Sequence, residues 1–172
     1  MEKYVITISR QYGSFGRLVA KKLSEQLHID FLDRDIVEET AKRMNTSVKQ
    51  ISREEEITHS KFSYLSYPFG LGTPDVSDEI FLVQQSIIED FARKGSCIIV
   101  GRCADKILEE TEGLISLFIY APMEARVKEI MRRYETDEKE AEYLIKQADK
   151  IRKNYYNFYA KRHGRIKQVI IC

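Results

Sequence analysis

Tyr4 to Arg17 reads YVITISRQYGSFGR, and this stretch decides the fold. A short apolar run rich in β-branched residues breaks into a glycine loop that ends on a basic residue, and a helix pattern follows at once. Strand, glycine loop, basic residue and helix start together make an anion site, because exposed backbone N–H groups and the positive end of a helix dipole converge on one point. The expectation is nucleotide binding and phosphoryl transfer. A full phosphate loop reads G-x-x-x-x-G-K-S/T, in which the lysine reaches the β- and γ-phosphates and the hydroxyl touches magnesium. Here the corresponding residues run Gln11-Tyr12-Gly13-Ser14-Phe15-Gly16-Arg17-Leu18. Gly16 and a basic residue survive. Arg17 presents a planar fork in place of a compact ammonium, and Leu18 has no oxygen for a metal. The same residues also suit a plain glycine turn between a core strand and a core helix.

The chain has 172 residues, 43% of them hydrophobic and 32% charged, which suits a single α/β domain with a sizeable core. A net charge of +1 gives no global attraction to nucleic acid or to an anionic membrane, so a basic site must be a local cluster. The first residues carry charge beside only a short apolar run, and no window approaches a membrane span. The expected compartment is the cytoplasm, with small-molecule nucleotides as partners and no nucleic acid or membrane among them. Cys97, Cys103 and Cys172 form no C-x-x-C pair and no even framework, as expected of thiols kept reduced, with Cys97 in the core. His28, His59 and His163 lack ligand spacing, and no oligomeric state is legible.

Outward from the glycine loop, strand and helix patterns alternate. Val19, Leu23 and Leu27 recur every four residues and predict a buried helix face. Ile29 to Leu32 predicts a second strand that delivers Asp33-Arg34-Asp35 before another helix, although Asp33 and Asp35 also suit simple helix caps. Thr46 or Ser47 is placed to cap the next helix. From about Thr58 to Ser77 the pattern dissolves among prolines, glycines and aromatics, which either stack on a base or pack a loop. Ile80 to Phe91 returns to helical spacing. Cys97-Ile98-Ile99-Val100 predicts a strand buried on both faces and opens onto Gly101-Arg102; Leu114 to Tyr120 predicts another, with Pro122 in the first turn of the helix after it. Thr136 is the expected cap of a long helix whose buried stripe is Ala141, Leu144, Ile145, Ala148 and Ile151, and Gln168 to Cys172 is the last strand.

Such alternation implies a parallel sheet, and open sheets of this kind bind ligands at the carboxyl ends of their strands. Gly13 to Arg17, Asp33 to Asp35, and Gly101-Arg102 each follow a predicted strand, so all three should meet on one edge. Arg17, Arg102 and a basic lid with Arg132, Arg133, Lys150 and Arg152 can supply the positive charge that phosphoryl transfer needs, while Asp33 can orient an acceptor. Basic residues on an amphipathic helix also make an ordinary solvated face, and Arg126 and Lys128 are read as surface. A nicotinamide-dependent oxidoreductase is the remote alternative, since Gly13-x-x-Gly16 followed by Asp33 mimics part of a dinucleotide fingerprint whose first glycine is missing.

ITISRQYGSFGR with FLDRD, CIIVGRCADKIL, LFIYAPMEARVKEIMRR and EAEYLIKQADKIRKNYY together resemble the cytidylate kinase-like family, a branch of the P-loop nucleoside monophosphate kinases, from Tyr4 to about Tyr156. The resemblance implies a three-layer P-loop NTP hydrolase fold, with a five-stranded parallel sheet and helices on both faces. It further implies ATP at Gly13, Ser14, Phe15, Gly16, Arg17 and Leu18, Mg2+ without identifiable ligands, and an acceptor-binding insertion over about 34–94. Acceptor contacts at Asp33, Arg34, Arg102, Asp105 and Lys150 follow, as do catalytic arginines at Arg17, Arg132 and Arg152 within a loop and a basic lid over about 132–153. Three departures stand out. Cys103 occupies the position after Gly-Arg where cytidylate kinases carry aspartate, Phe15 stands where family members tend to carry glycine, and the sequence stops at Cys172, before the donor-base loop expected of such kinases. Cys103 bears on cytosine specificity, while Phe15, the early stop and the missing magnesium hydroxyl motivate a second expectation, a nucleotide-binding regulatory module with weak or absent catalysis.

Overall fold

A computed structural model describes residues 3–52, 76–160 and 169–171 of the protein. Its elements, in chain order, are β1 (Val5–Arg10), α1 (Gly16–Leu27), β2 (Asp30–Leu32), α2 (Asp35–Arg43), α3 (Val76–Lys94), β3 (Cys97–Val100), α4 (Ala104–Ile107), β4 (Leu114–Ile119), α5 (Met123–Tyr134), α6 (Glu138–Ala160) and β5 (Val169–Ile171). Most of the aromatic stretch expected from Thr58 lies outside the described residues, and α3 begins at its end.

The sheet runs β2-β3-β1-β4-β5 with every pairing parallel, so all the strands end on the same edge. A four-strand block, β2-β3-β1-β4, is flanked by a three-residue β5. β1 and β3 are apolar without alternation because both of their faces are covered. Val5, Cys97 and Ile99 pack on one side with Ile36 of α2, Ile87 and Ile88 of α3, and Ala104 of α4. Ile6, Ile8, Ile98 and Val100 point the other way, onto Ala20 and Leu23 of α1. Each fully buried isoleucine contributes about 1.5–3 kcal/mol of apolar burial, and this double layer fixes the sheet edge that carries the loops.

α1 lies on the sheet by a face other than the one the four-residue spacing predicts. Val19 and Leu27 are 42% and 38% exposed, while Gly16, Ala20 and Ser24 are buried. Small residues face the sheet because the helix starts in close contact with β1, where a Cβ on Gly16 would lie 2.7 Å from Arg10 Cβ. Only Leu23 of the expected face packs inward.

Caps and stripes need similar adjustment. Asp137, not Thr136, caps α6, its Oδ1 accepting from Glu140 N–H at 2.9 Å. Ser47 caps the short helical stretch at 48–52 through Gln50 N–H. Ala141 and Ile145 of α6 are buried against Val127 and Ile130 of α5, with Leu144 beside them. Ile151 leaves this stripe, 37% exposed. Among the described residues no helix is long and apolar enough to cross a membrane.

Candidate functional site

Three loops and one helix meet over the carboxyl ends of the strands. The loops follow β1, β2 and β3, and α6 crosses above them; between them lies a cavity of about 620 Å³. Among the described residues its charged lining is Arg10, Asp33, Arg34, Arg102 and Arg152, four guanidiniums against one carboxylate. Ser9, Phe118 and Tyr155 are among the uncharged groups of its wall. An open parallel sheet places its ligand on this edge.

The cavity's charges are held on strained or crowded backbone. Arg102 and Cys103 both adopt left-handed conformations, with φ of 58° and 54°, directly after Gly101 at 80°. Non-glycine residues avoid this region, and where they occupy it the surrounding structure must hold them there, as happens at ligand clamps. The Gly101 N–H donates to Ile8 O at 3.0 Å, fastening the turn to the end of β1. Burial lowers the affinity of Arg102 and Arg152 for their protons. Burial, followed by the field of Arg152, pulls Arg10 down to about 10. All three remain cations at neutral pH, so the site is a concentrated, partly desolvated positive field.

Asp33 is the counterweight. Its Oδ2 lies 2.5 Å from Arg17 Nε and its Oδ1 lies 3.8 Å from Arg10 Nη2. Arg152 Nη1 donates to Arg10 O at 3.3 Å, and its guanidinium sits 5.3 Å from the centre of the Tyr12 ring. Beneath the site, Tyr156 donates from its hydroxyl to Asp105 Oδ2 at 2.6 Å, and Tyr155 donates to Gln84 Oε1 at 3.2 Å.

The glycine loop is gripped by the helices opposite. Tyr12 N–H donates to Asp149 Oδ1 at 2.8 Å, and Tyr12 O accepts from Arg126 Nε at 3.0 Å. Arg126 also pairs with Asp149, and its side chain is only 4% exposed. The expectation of Arg126 as surface is therefore overturned: with Asp149 it closes a clamp on the Tyr12 backbone. Ser14 is buried, and its hydroxyl donates to Gln11 O at 2.9 Å, which commits it to the shape of the loop.

The residues expected at the site divide accordingly. Asp33, Arg34, Arg102 and Arg152 line one cavity, and Arg17 joins them through Asp33. Asp105 stands behind the wall, against Tyr156. Arg132 is 72% exposed and chelated by Glu129, and Lys150 is exposed; neither lines the cavity. Gly13 and Gly16 shape the loop, and Leu18 is 49% exposed. Arg10, Tyr155 and Tyr156 were not expected. For Arg10 the sequence shows only a charged residue closing β1 before a glycine loop, without the contacts that give it meaning.

Magnesium finds no ready cage among the described residues. No group of three acidic, histidine or cysteine side chains comes together there. Leu18 stands where a hydroxyl would serve, and Asp33, the cavity's carboxylate, is engaged by two arginines. The described residues do not fit a metal site of their own making.

Phe15 has a physical description. It precedes α1 in a left-handed conformation, φ 61° and ψ 8°, and caps nothing with its side chain. That conformation costs a non-glycine residue about 1–2 kcal/mol, which is why glycine suits the position. The ring is 43% exposed, so little packing offsets the strain. Phe15→Gly should raise the melting temperature by about 2 °C in calorimetry, part of the relief being offset by glycine's greater unfolded-state entropy. A lower melting temperature would contradict this account.

Comparison with known proteins follows the same lines. A crystal structure of an uncharacterized protein from Eubacterium ventriosum is similar at 31% identity with a TM-score of 0.66, covering 92% of this chain and 79% of that one. Shikimate kinase from Bacteroides thetaiotaomicron shares the fold at 13% identity and a TM-score of 0.54, covering 91% of this chain and 83% of that one. No curated protein matches the chain. The sequence profile of the cytidylate kinase-like family matches residues 5–165, which takes in every loop of the cavity, and the chain belongs to that family.

Proposed function

We propose that the protein transfers a phosphoryl group from ATP to a nucleoside monophosphate. The observation that carries this reading is the cavity at the strand ends, where four guanidiniums face one carboxylate beside a glycine loop. Phosphoryl transfer asks little covalent chemistry of a protein; it asks for alignment and for positive charge where the equatorial oxygens gather negative charge. In this reading the three-layer P-loop architecture seats the ATP phosphates on the loop at Gly13 to Arg17, and Arg34 and Arg102 hold the acceptor's phosphate. An acceptor phosphate oxygen attacks the γ-phosphorus, the bond to the β–γ bridging oxygen breaks, and ADP leaves with that electron pair. Arg17 and Arg152 neutralise the charge in passage, and Asp33 positions Arg17.

The test is direct. Purified protein is incubated with ATP, magnesium and each nucleoside monophosphate, and paired formation of ADP and a nucleoside diphosphate is measured. Arg17→Ala removes a side chain that is 56% exposed, so the fold should persist while product formation is abolished. Undiminished turnover in that variant would defeat the assignment.

A second reading, a nucleotide-binding module that transfers poorly, draws on the left-handed Phe15 and on Leu18. Calorimetric nucleotide binding without turnover across the whole panel would favour it.

A further inference from the structure

Arg10 is the last residue of β1, and its side chain passes between two glycines that belong to different loops. A Cβ on Gly16 would lie 2.7 Å from Arg10 Cβ and 3.1 Å from its Cγ, and one on Gly101 would run into the guanidinium. Both positions are thus kept bare where Arg10 passes, one at the start of α1 and the other after β3. The path ends in the cavity, where the Arg10 side chain retains 22% of its exposure.

The guanidinium is delivered into a like-charged neighbourhood. Arg17, Arg102 and Arg152 all act against it, and Asp33 attracts it from 3.8 Å. That separation is longer than the roughly 2.7–2.9 Å of a charge-assisted hydrogen bond, and the other Asp33 oxygen is already taken by Arg17 at 2.5 Å. Arg10 and Arg17 thus divide one carboxylate between them, and a partly desolvated guanidinium with so distant a counter-charge is costly. A tetrahedral dianion, which accepts bidentate bonds from several arginines at once, suits the place better than Asp33 does.

We propose that Arg10 is a phosphate-binding residue, holding a phosphate group where the glycine loop meets the Gly101-Arg102 turn, and that Asp33 stands in for that phosphate when the site is empty. The proposal rests on the phosphoryl-transfer reading for the origin of the phosphate, while its test reads binding without turnover.

Calorimetric titrations with CMP and, separately, with the non-hydrolysable ATP analogue AMP-PNP distinguish the two sources. Arg10→Gln should weaken at least one of them tenfold or more, both in the wild-type background and in Asp33→Asn, as expected from losing a hydrogen bond to a charged group. Loss on the CMP arm places the acceptor's phosphate on Arg10, and loss on the AMP-PNP arm places the donor's. If Arg10→Gln changes neither affinity once Asp33 is neutral, Arg10 serves only to pair Asp33 and the proposal is overturned. Should Arg10→Gln fail to fold, the Arg10 Nε–Hε resonance of the wild-type protein, assigned with Arg10→Lys, must shift on titration with either ligand; an unmoved resonance is equally fatal. Weakened nucleotide binding in Arg10→Gln, in a protein that forms no ADP from ATP and any nucleoside monophosphate, would instead count against the kinase reading and still support Arg10 as a phosphate ligand.

Discussion

Arg102→Met should reduce kcat/KM for ADP formation by about a thousandfold or more, the scale of a phosphate-contacting arginine in phosphoryl transfer, while the protein stays folded. The side chain lines the cavity from a left-handed residue, and burial lowers its proton affinity. The fields of Tyr155 and Asp33 favour its charge, and a partly desolvated guanidinium facing the cavity suits an anionic ligand. Methionine keeps most of the stem volume and removes the charge. The expected pair of results is therefore near-complete loss of transfer with a native circular dichroism spectrum and cooperative melting. A variant that retained a tenth of the wild-type rate would remove Arg102 from the chemistry.

Arg126→Ala should lower the melting temperature by about 6–12 °C, corresponding to about 3 kcal/mol in a protein of this size. Three interactions go together, the ion pair with Asp149, the bond to Tyr12 O, and the packing of a side chain that is 4% exposed. Asp149 would keep the Tyr12 N–H but lose its cation, and Tyr12 O would be left without that donor. Transfer should also fall, because the loop that Tyr12 anchors loses one of its two grips. A change below about 1 °C would show that solvent replaces the arginine without penalty. Arg126→Lys restores charge but not the fork, so it should recover only part of the loss.

These two arginines also show where a sequence is readable. β1 and β3 are legible because continuous β-branched runs such as Cys97 to Val100 have no other economical home than a sheet covered on both sides. The meeting of Asp33, Arg34 and Arg102 is legible because each follows such a strand, and the geometry of a parallel sheet does the rest. Arg126 is not, since on α5 it sits among charged residues, and it is buried by the glycine loop and by Asp149 arriving from α6. Lys150 and Arg152 illustrate the same limit within a single helix. Two positions apart, they are turned about 200° from each other, and which of them faces the cavity depends on how α6 is rolled. Helical spacing identifies a stripe such as Ala141 and Ile145 but does not identify what waits on the flank of that stripe. Arg10 was hidden for another reason, because its meaning lies in two glycines that sequence alone assigns to ligand contact or to turns.

One turn of α6 carries both Asp149 and Arg152, the first holding the Tyr12 N–H and the second facing the cavity beneath the Tyr12 ring. The loop's backbone and the cavity's charge therefore have a common mounting. A shift of that turn that moves Arg152 in the cavity also moves Asp149 and its hold on the strand-to-helix loop, so displacement at one point is felt mechanically at the other.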